Sequence, residues 1–352
     1  MTKRKQYRIL LIGSSSPHIA NHLDRILSEE FLIRVITNNN DFIQSSSTIA
    51  IVNFSLAKFW NWLITPWKIR KAIRHFKPDV IHVHQANSVG FYSVLANSRT
   101  GIPLVLTAWG SDILINPTLS WFHRWMTRKV LKSAKICTSD SSYMADEMKA
   151  LVPNEKLEIT ICNFGVPESS LPIQKEKIIY SNRSHNPLYR IDKVIRAFRR
   201  FLDMTSDKDW RLLLAGKGSM TAGLIELVQE LNLQNKVEFI GFVDTATNAQ
   251  NYAKSSFFIS IPESDATAMS LLEAMYYKCT PILSDLPANR EWVTHMENGF
   301  IVSNLDSNFI IDAMQVDIHK AGDMNREIIL QKGTEKRSRE LFREVLFKAM
   351  NK

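Results

Sequence analysis

Two carboxylates eight residues apart, Asp265 and Glu273, bracket a run of small residues in IPESDATAMSLLEAMYYKCTPIL (261–283). Ala268, Leu271, Leu272 and Met275 recur at helical spacing, which predicts a helix entered from a loop and left into the strand TPILS (280–284). Ser264, Asp265 and Thr267 all carry side chains that cap a helix start. The backbone N–H groups of Ala268, Met269 and Ser270 then lie at the positive end of the helix dipole, where they form an anion site. Glu273 is expected about two turns in, roughly on the side of the helix start. With a diphosphate on that site, the Glu273 carboxylate could accept from both hydroxyls of an attached ribose. Asp265 could reach a sugar at the other end. The plainer alternative makes Asp265 a cap and Glu273 a solvated helix residue.

Such a segment needs a scaffold that delivers loops to one edge, and the chain has one. Apolar runs at 8–13, 32–37, 79–84, 103–110, 135–140 and 157–162 alternate with helical stretches. The same scheme recurs at 177–182, 210–216, 237–242, 256–261, 280–284 and 299–303. Continuous apolar strands separated by helices predict parallel sheets covered on both faces. The fold class is therefore α/β, with two doubly wound Rossmann-like domains facing a cleft. Domain one is expected over 1–165, a Pro/Ser-rich linker at 166–175 and domain two over 176–330. A final helix in 331–352 could pack back on the first domain. In such sheets ligands bind beyond the carboxyl ends of the strands. IGSSSPH (12–18), AGKGS (215–219) and PESDATAMS (262–270) all fall there, and each either presents N–H groups to phosphate or is a plain tight turn.

Composition narrows the classes. At 45% hydrophobic and 22% charged the chain is globular, and it has no apolar run long enough to span a membrane. The apolar run at the N-terminus is too short for a signal peptide, so a cytoplasmic protein is expected. Cys137, Cys162 and Cys279 sit in or beside apolar runs without a CxxC pair and read as reduced, buried thiols. Residues 1–150 hold 19 Lys+Arg against 9 Asp+Glu and the remainder 25 against 26, so only the first half is set to meet an anionic surface or substrate. No helix-turn-helix, RNP or zinc-finger pattern points to nucleic acid.

The segment 261–283 resembles the pattern PSxxEGFGLxxLEAMAxGxPVI of the GT-B nucleotide-sugar glycosyltransferases of the large retaining family 4. Asp265 and Glu273 stand at the two acidic positions of that family's E-x7-E motif. Glu291 and Gly299 fall where the family usually has Glu and Gly. YSNRSHNPLYRIDKVIRAF (180–198) is similar to VGRLxxEKGxDxLIxAF, LLLAGKGSM to LxIVGDGP and NFGV to NGVD. The resemblance spans both domains and is strongest over about 160–303.

It implies a metal-independent transferase that uses a UDP- or GDP-linked sugar donor and no other cofactor. Arg183 falls on the Arg that neutralises the departing diphosphate. The partner Lys position holds Tyr189, with Arg190 beside it as the substitute and Lys193 as a poorer one. The resemblance implies catalytic roles for Arg183, Arg190, Asp265 and Asp112. Donor contacts are implied at Glu273, Gly216, Ala268, Met269, Ser270, Gly13, Ser14 and His18. In TAWGSDI (107–113) Trp109 replaces a family His while Gly110, Ser111 and Asp112 persist. His82 and His84 end a strand, where His84 either faces the cleft or is structural. The leaving diphosphate can take the acceptor's proton, so protein help would consist of stabilising its charge. The lone D-x-D, Asp207–Asp209, reads as a solvated turn rather than a metal site. A nucleotide-sugar epimerase, or a degenerate partner protein of the same architecture, remains as the alternative.

Phe59, Trp60, Trp62 and Trp67 mingle with Lys58, Lys68, Arg70, Lys71 and Arg74, and Thr65–Pro66 reads as the start of a helix. Trp121, Phe122 and Trp125 mingle likewise with Arg124, Arg128 and Lys129. Indoles on a basic face suit an anionic membrane; a core-facing stripe with a basic back is the alternative. Membrane contact would fit a lipid-linked saccharide acceptor in capsule, exopolysaccharide or O-antigen assembly, with the enzyme peripheral on the inner face of the plasma membrane.

Overall fold

The computed structural model describes residues 6–16, 19–20 and 30–351. His18, expected in the first loop, lies outside the described residues. The chain divides into two compact units, residues 1–164 with 335–352, and residues 165–334.

In the first unit the strands are β1 (Tyr7–Ile12), β2 (Phe31–Thr37), β3 (Thr48–Ile51), β4 (Val80–His84), β5 (Leu104–Thr107), β6 (Ile136–Ser139) and β7 (Ile159–Ile161). They form one parallel sheet in the order β3-β2-β1-β4-β5-β6-β7. The apolar runs of β1 and β4 are buried along nearly their whole length, as a sheet covered on both faces requires. Sequence periodicity passes over β3: TIAI is short, half-exposed and at the sheet edge, with no buried run to signal it. The helix Glu335–Ala349 closes this unit, placing Phe342, Val345, Leu346 and Ala349 in its core. Arg343 clasps Glu30 through two bonds of 2.7 and 2.9 Å, and Lys135 Nζ donates to the Ala349 carbonyl at 2.8 Å.

The expected helix start at Thr65–Pro66 is corrected. That helix runs Asn61–Phe76 with Pro66 inside it. Thr65 Oγ1 donates to the Asn53 carbonyl at 2.7 Å instead of capping. Asn61 Nδ2 and Trp62 Nε1 bind the carbonyls of Ser55 and Leu56, which fixes a turn of helix ahead of the proline.

The second unit holds β8 (Glu176–Ser181), β9 (Arg211–Ala215), β10 (Val237–Gly241), β11 (Ser255–Ser260), β12 (Thr280–Ser284) and β13 (Phe300–Val302), all parallel, in the order β10-β9-β8-β11-β12-β13. Both faces are filled, one by Ile191, Val194, Ile195, Phe198 and Phe201 of the helix Ile191–Met204, the other by Leu271, Leu272 and Met275 of the helix Met269–Tyr276. The stretch 166–175, expected as a linker, belongs to this unit. Ser169 N–H donates to the Tyr276 hydroxyl at 2.7 Å, and Lys175 Nζ donates to the carbonyls of Tyr252 and Ser255.

The strand order reverses at β8. The chain builds outward through β9 and β10, then crosses back to lay β11 on the other side of β8. Loops leaving β8 and β11 therefore diverge from neighbouring strand ends, the position where open parallel sheets bind ligands.

Candidate active site

Arg183 leaves the end of β8 and Asp265 the loop after β11, 82 residues apart in sequence. The switch in strand order brings them together: Arg183 Nη2 meets Asp265 Oδ2 at 2.5 Å and Nη1 donates to Ser270 Oγ at 2.7 Å. The guanidinium also lies 4.5 Å over the ring of Tyr189. Burial pushes the Asp265 carboxyl up, and the neighbouring Arg183 charge and the Ala266 N–H oppose that rise.

The Arg183 loop is fixed from below. A side-chain carbon at Gly216, whose φ is +111°, would stand 2.7 Å from the Arg183 carbonyl oxygen, and one at Gly218 would stand 2.5 Å from the His185 carbonyl. The loop after β9 thus lies backbone to backbone against the arginine loop. Gly216, expected to offer its N–H to the donor, instead gives it to the Gly241 carbonyl at 2.7 Å. Its work is close approach. Glu263 N–H donates to the Leu188 carbonyl at 2.9 Å and joins the Asp265 loop to the same assembly.

The helix after Asp265 begins later than its sequence suggests, at Met269, with Ala268 as the cap residue and no capping side chain. Thr267 accepts from Trp292 Nε1 at 3.2 Å, while Asp265 is turned to Arg183. The N–H groups of Met269 and Ser270 start the helix, beyond the reach of any intrahelical carbonyl. With this start Glu273 is one turn in rather than two, roughly 6 Å along the axis from Met269. Glu273 Oε2 accepts from Asn248 Nδ2 and the Tyr252 hydroxyl, each at 3.2 Å. Tyr180 donates to Asn248 Oδ1 at 2.7 Å, and Asn182 Nδ2 donates to the Tyr252 hydroxyl at 2.8 Å. These residues were not picked out from the sequence. Asn248 and Tyr252, four apart on the helix Thr245–Lys254, were the signal available.

Arg190 caps the helix Ile191–Met204 in a left-handed conformation, φ +53°, with its guanidinium 3.7 Å from the exposed Glu263 carboxylate. It stands at the rim of the loop that carries Arg183. Asp207 and Asp209 of the D-x-D share Lys177 at 2.6 and 3.8 Å.

The first-unit candidates are arranged differently. Asp112 is fully buried, and its two oxygens accept from the N–H groups of Ala86 at 2.6 Å and Trp109 at 2.9 Å. Burial pushes its carboxyl up against the pull of these bonds. Expected as catalytic, it is instead a clamp between the loops after β4 and β5. His84 is buried too, its Nδ1 accepting from Trp109 Nε1 at 3.1 Å and its ring stacked on Phe164. His82 bonds Thr107 Oγ1 at 2.7 Å, and burial pushes its imidazole down to about 3. Gly13 N–H is committed to the Ile36 carbonyl at 3.1 Å, so it is not available to a phosphate. Ser14 beside it is half-buried.

On the same unit the aromatic cluster points outward. Only Trp62 of its four rings turns inward, against Phe91, Tyr92 and Phe122. Phe59, Trp60 and Trp67 are exposed, as is Trp121, 80% open. Lys71 stands 5.6 Å over Trp67 and Lys129 5.7 Å over Trp125. Trp121, Arg124, Trp125 and Arg128 line a groove of about 600 Å³. Among the described residues no helix is long and apolar enough to cross a membrane.

Two parallel Rossmann-like units, each with its reversal of strand order, define a two-domain α/β protein of the GT-B fold. The structure of Anabaena HepE in complex with UDP superposes with a TM-score of 0.78 at 13% identity, over 97% of this chain and 100% of that one. Residues 167–326 match the family described as glycosyl transferases group 1, and residues 8–141 match the glycosyl transferase 4-like family. N-acetyl-alpha-D-glucosaminyl L-malate synthase of Bacillus anthracis is 25% identical over 72% of this chain and 70% of its own length. GDP-mannose:cellobiosyl-diphosphopolyprenol alpha-mannosyltransferase of Xanthomonas campestris is 21% identical over 67% of this chain and 64% of its own. The two family matches, which together span most of the chain, and the named relatives support a group 1 glycosyltransferase, a transferase enzyme.

Proposed function

We propose that this enzyme moves a sugar, with retention of configuration, from a UDP- or GDP-linked donor to a lipid-linked saccharide during synthesis of a bacterial surface polysaccharide. The observation that carries the donor half is the uncapped start of the helix Met269–Tyr276 with Arg183 laid across it and Glu273 one turn further on. A diphosphate fits the N–H groups and the guanidinium, and a ribose fits the carboxylate that Asn248 and Tyr252 hold. HepE, of the same fold, binds UDP.

In the proposed reaction the bond between the anomeric carbon and the diphosphate oxygen breaks, and the acceptor hydroxyl oxygen attacks the same face. The acceptor's proton passes to the departing phosphate oxygen. Charge accumulates on that diphosphate, and Arg183, Arg190 and the helix N-terminus stabilise it, without a metal ion in this reading.

The acceptor half rests on the exposed indoles and basic residues of the first unit, suited to an anionic membrane surface such as the inner face of the plasma membrane. One relative is named for a diphosphopolyprenol-linked saccharide and another for L-malate, so a small soluble acid is the competing acceptor. Thermal shift against UDP, GDP, dTDP, CDP and ADP tests the donor site. At about 100 times its dissociation constant one nucleotide should add roughly 2.7 kcal/mol to the wild type and nothing to Glu273→Ala. Silence from all five would defeat the reading. Incubation of the matching nucleotide sugar with phosphatidylglycerol vesicles holding a diphosphopolyprenol-linked saccharide then tests the acceptor. Product in the organic phase supports the lipid; transfer to malate alone rejects it.

A further inference from the structure

Asp265 stands at the first acidic position of the motif, where its expected partner is the transferred sugar. Its surroundings give it a different one. Oδ2 lies against Arg183 Nη2 at 2.5 Å, and Oδ1 accepts the Ala266 N–H at 3.1 Å, so both oxygens are already engaged. The Arg183 side chain is only 11% exposed and that of Asp265 24%. The guanidinium is held on three sides, by Asp265, by Ser270 Oγ at 2.7 Å and by the Tyr189 ring at 4.5 Å. Its Nε has no partner among the described residues.

This placement is electrostatically awkward without a counter-charge. A guanidinium bonded to the second residue of a helix sits at the positive end of the helix dipole. No capping side chain offsets that field, and Arg190 is one residue beyond Tyr189 on the same loop. The carboxylate of Asp265 supplies the offset. It also fixes the plane of the Arg183 guanidinium, because an Arg–carboxylate pair has a defined geometry. An aspartate, one methylene shorter than glutamate, is held close to its own backbone, as its contact with the Ala266 N–H shows.

We infer that Asp265 is a positioning residue for Arg183, acting through it on the donor diphosphate and not on the transferred sugar. Ser270 and Tyr189 complete the same cradle. The inference rests on the donor site proposed above and assigns a role within it. Its consequence is specific: a nucleoside diphosphate with no sugar attached must sense the loss of Asp265 as fully as the nucleotide sugar does.

The test is calorimetric binding of UDP or GDP, whichever the wild type takes, and of its sugar conjugate. The variants are Asp265→Asn, Arg183→Gln, the double variant and Ser270→Ala. Asp265→Asn should weaken both ligands by the same factor, about tenfold for loss of a charge-assisted bond. In the Arg183→Gln background it should weaken neither further, since the two residues act as a unit. Ser270→Ala, which loosens the same guanidinium and keeps the carboxylate, should also affect both ligands equally. It serves as the check where Asp265→Asn lowers the folded fraction. A loss confined to the sugar conjugate, or one that persists in full without Arg183, overturns the inference while leaving the donor site standing. A wild type that binds no nucleotide overturns both.

Discussion

Beyond the carboxyl ends of β8 and β11 the second unit leaves Arg183, Asp265 and Glu273 partly open, whereas at the ends of β4 and β5 the first unit buries His82, His84 and Asp112. Both positions are reversals of strand order in sheets of the same winding. In the second unit the polar groups come from side chains of different loops that meet one another. In the first, Asp112 is spent on backbone N–H groups and His84 on Trp109. The first unit keeps its accessible chemistry on an outer face of indoles and cations. One topology thus supplies a partly open polar cluster, the proposed donor site, in one unit and a braced frame in the other. The residues that fill the strand ends decide which.

This contrast can be broken from either side. The largest effect is expected at the open end. Arg183→Ala should lower the rate of sugar transfer by about 10²–10³-fold, the scale for losing a donor to developing negative charge. The same change also takes the counter-charge from the half-buried Asp265 carboxylate, so the melting temperature should fall by a few degrees, a smaller effect than the rate loss. A melting loss as severe as the rate loss would mean that Arg183 belongs to the frame.

The second effect runs the other way. Asp112→Ala strands the N–H groups of Ala86 and Trp109 in a buried place, at a cost of about 3 kcal/mol. For a unit of this size that lowers its melting temperature by roughly 6–12 °C. Nucleotide affinity of the folded fraction should be unchanged, and a selective loss of turnover in a fully folded variant would restore Asp112 to the chemistry.

The smallest effect sharpens the contrast through pH. Burial holds the His82 imidazole at about 3, below its unfolded value, so the unfolded chain binds the extra proton between those two values. The stability that neutral His82 contributes is complete above about pH 6.5 and is lost as pH falls toward 3. Between pH 7 and pH 5 the first unit should lose roughly 2 kcal/mol. His82→Gln, which cannot titrate, should remove most of that slope in denaturant melts. An unchanged slope would show that His82 is not the group responsible.

Much of this molecule was written in its apolar runs. Twelve of them locate strands of the two sheets, because a strand buried on both faces has no need of polar residues. β3 escaped because it is only four residues, TIAI, half-exposed and preceded by a polar stretch. The helix at 61–76 starts ahead of Thr65–Pro66 because Thr65 finds its partner twelve residues back, at Asn53, instead of capping. Glu273 was legible as a site candidate, but the Asn248 and Tyr252 groups that hold it were not, since nothing local in a helix face names the carboxylate it will meet.

By itself the sequence determined the α/β class, the two series of strands, the charge asymmetry and the helix that follows Asp265. These depend on periodicity and composition, which act over a few residues. Only the tertiary structure decided that Arg183 meets Asp265 across 82 residues, and that Asp112 and His84 lie inside the fold. It also decided that Trp60, Trp67 and Trp121 face out. Those outcomes depend on which strand lies beside which, and on what competes for each polar atom once the sheets have formed.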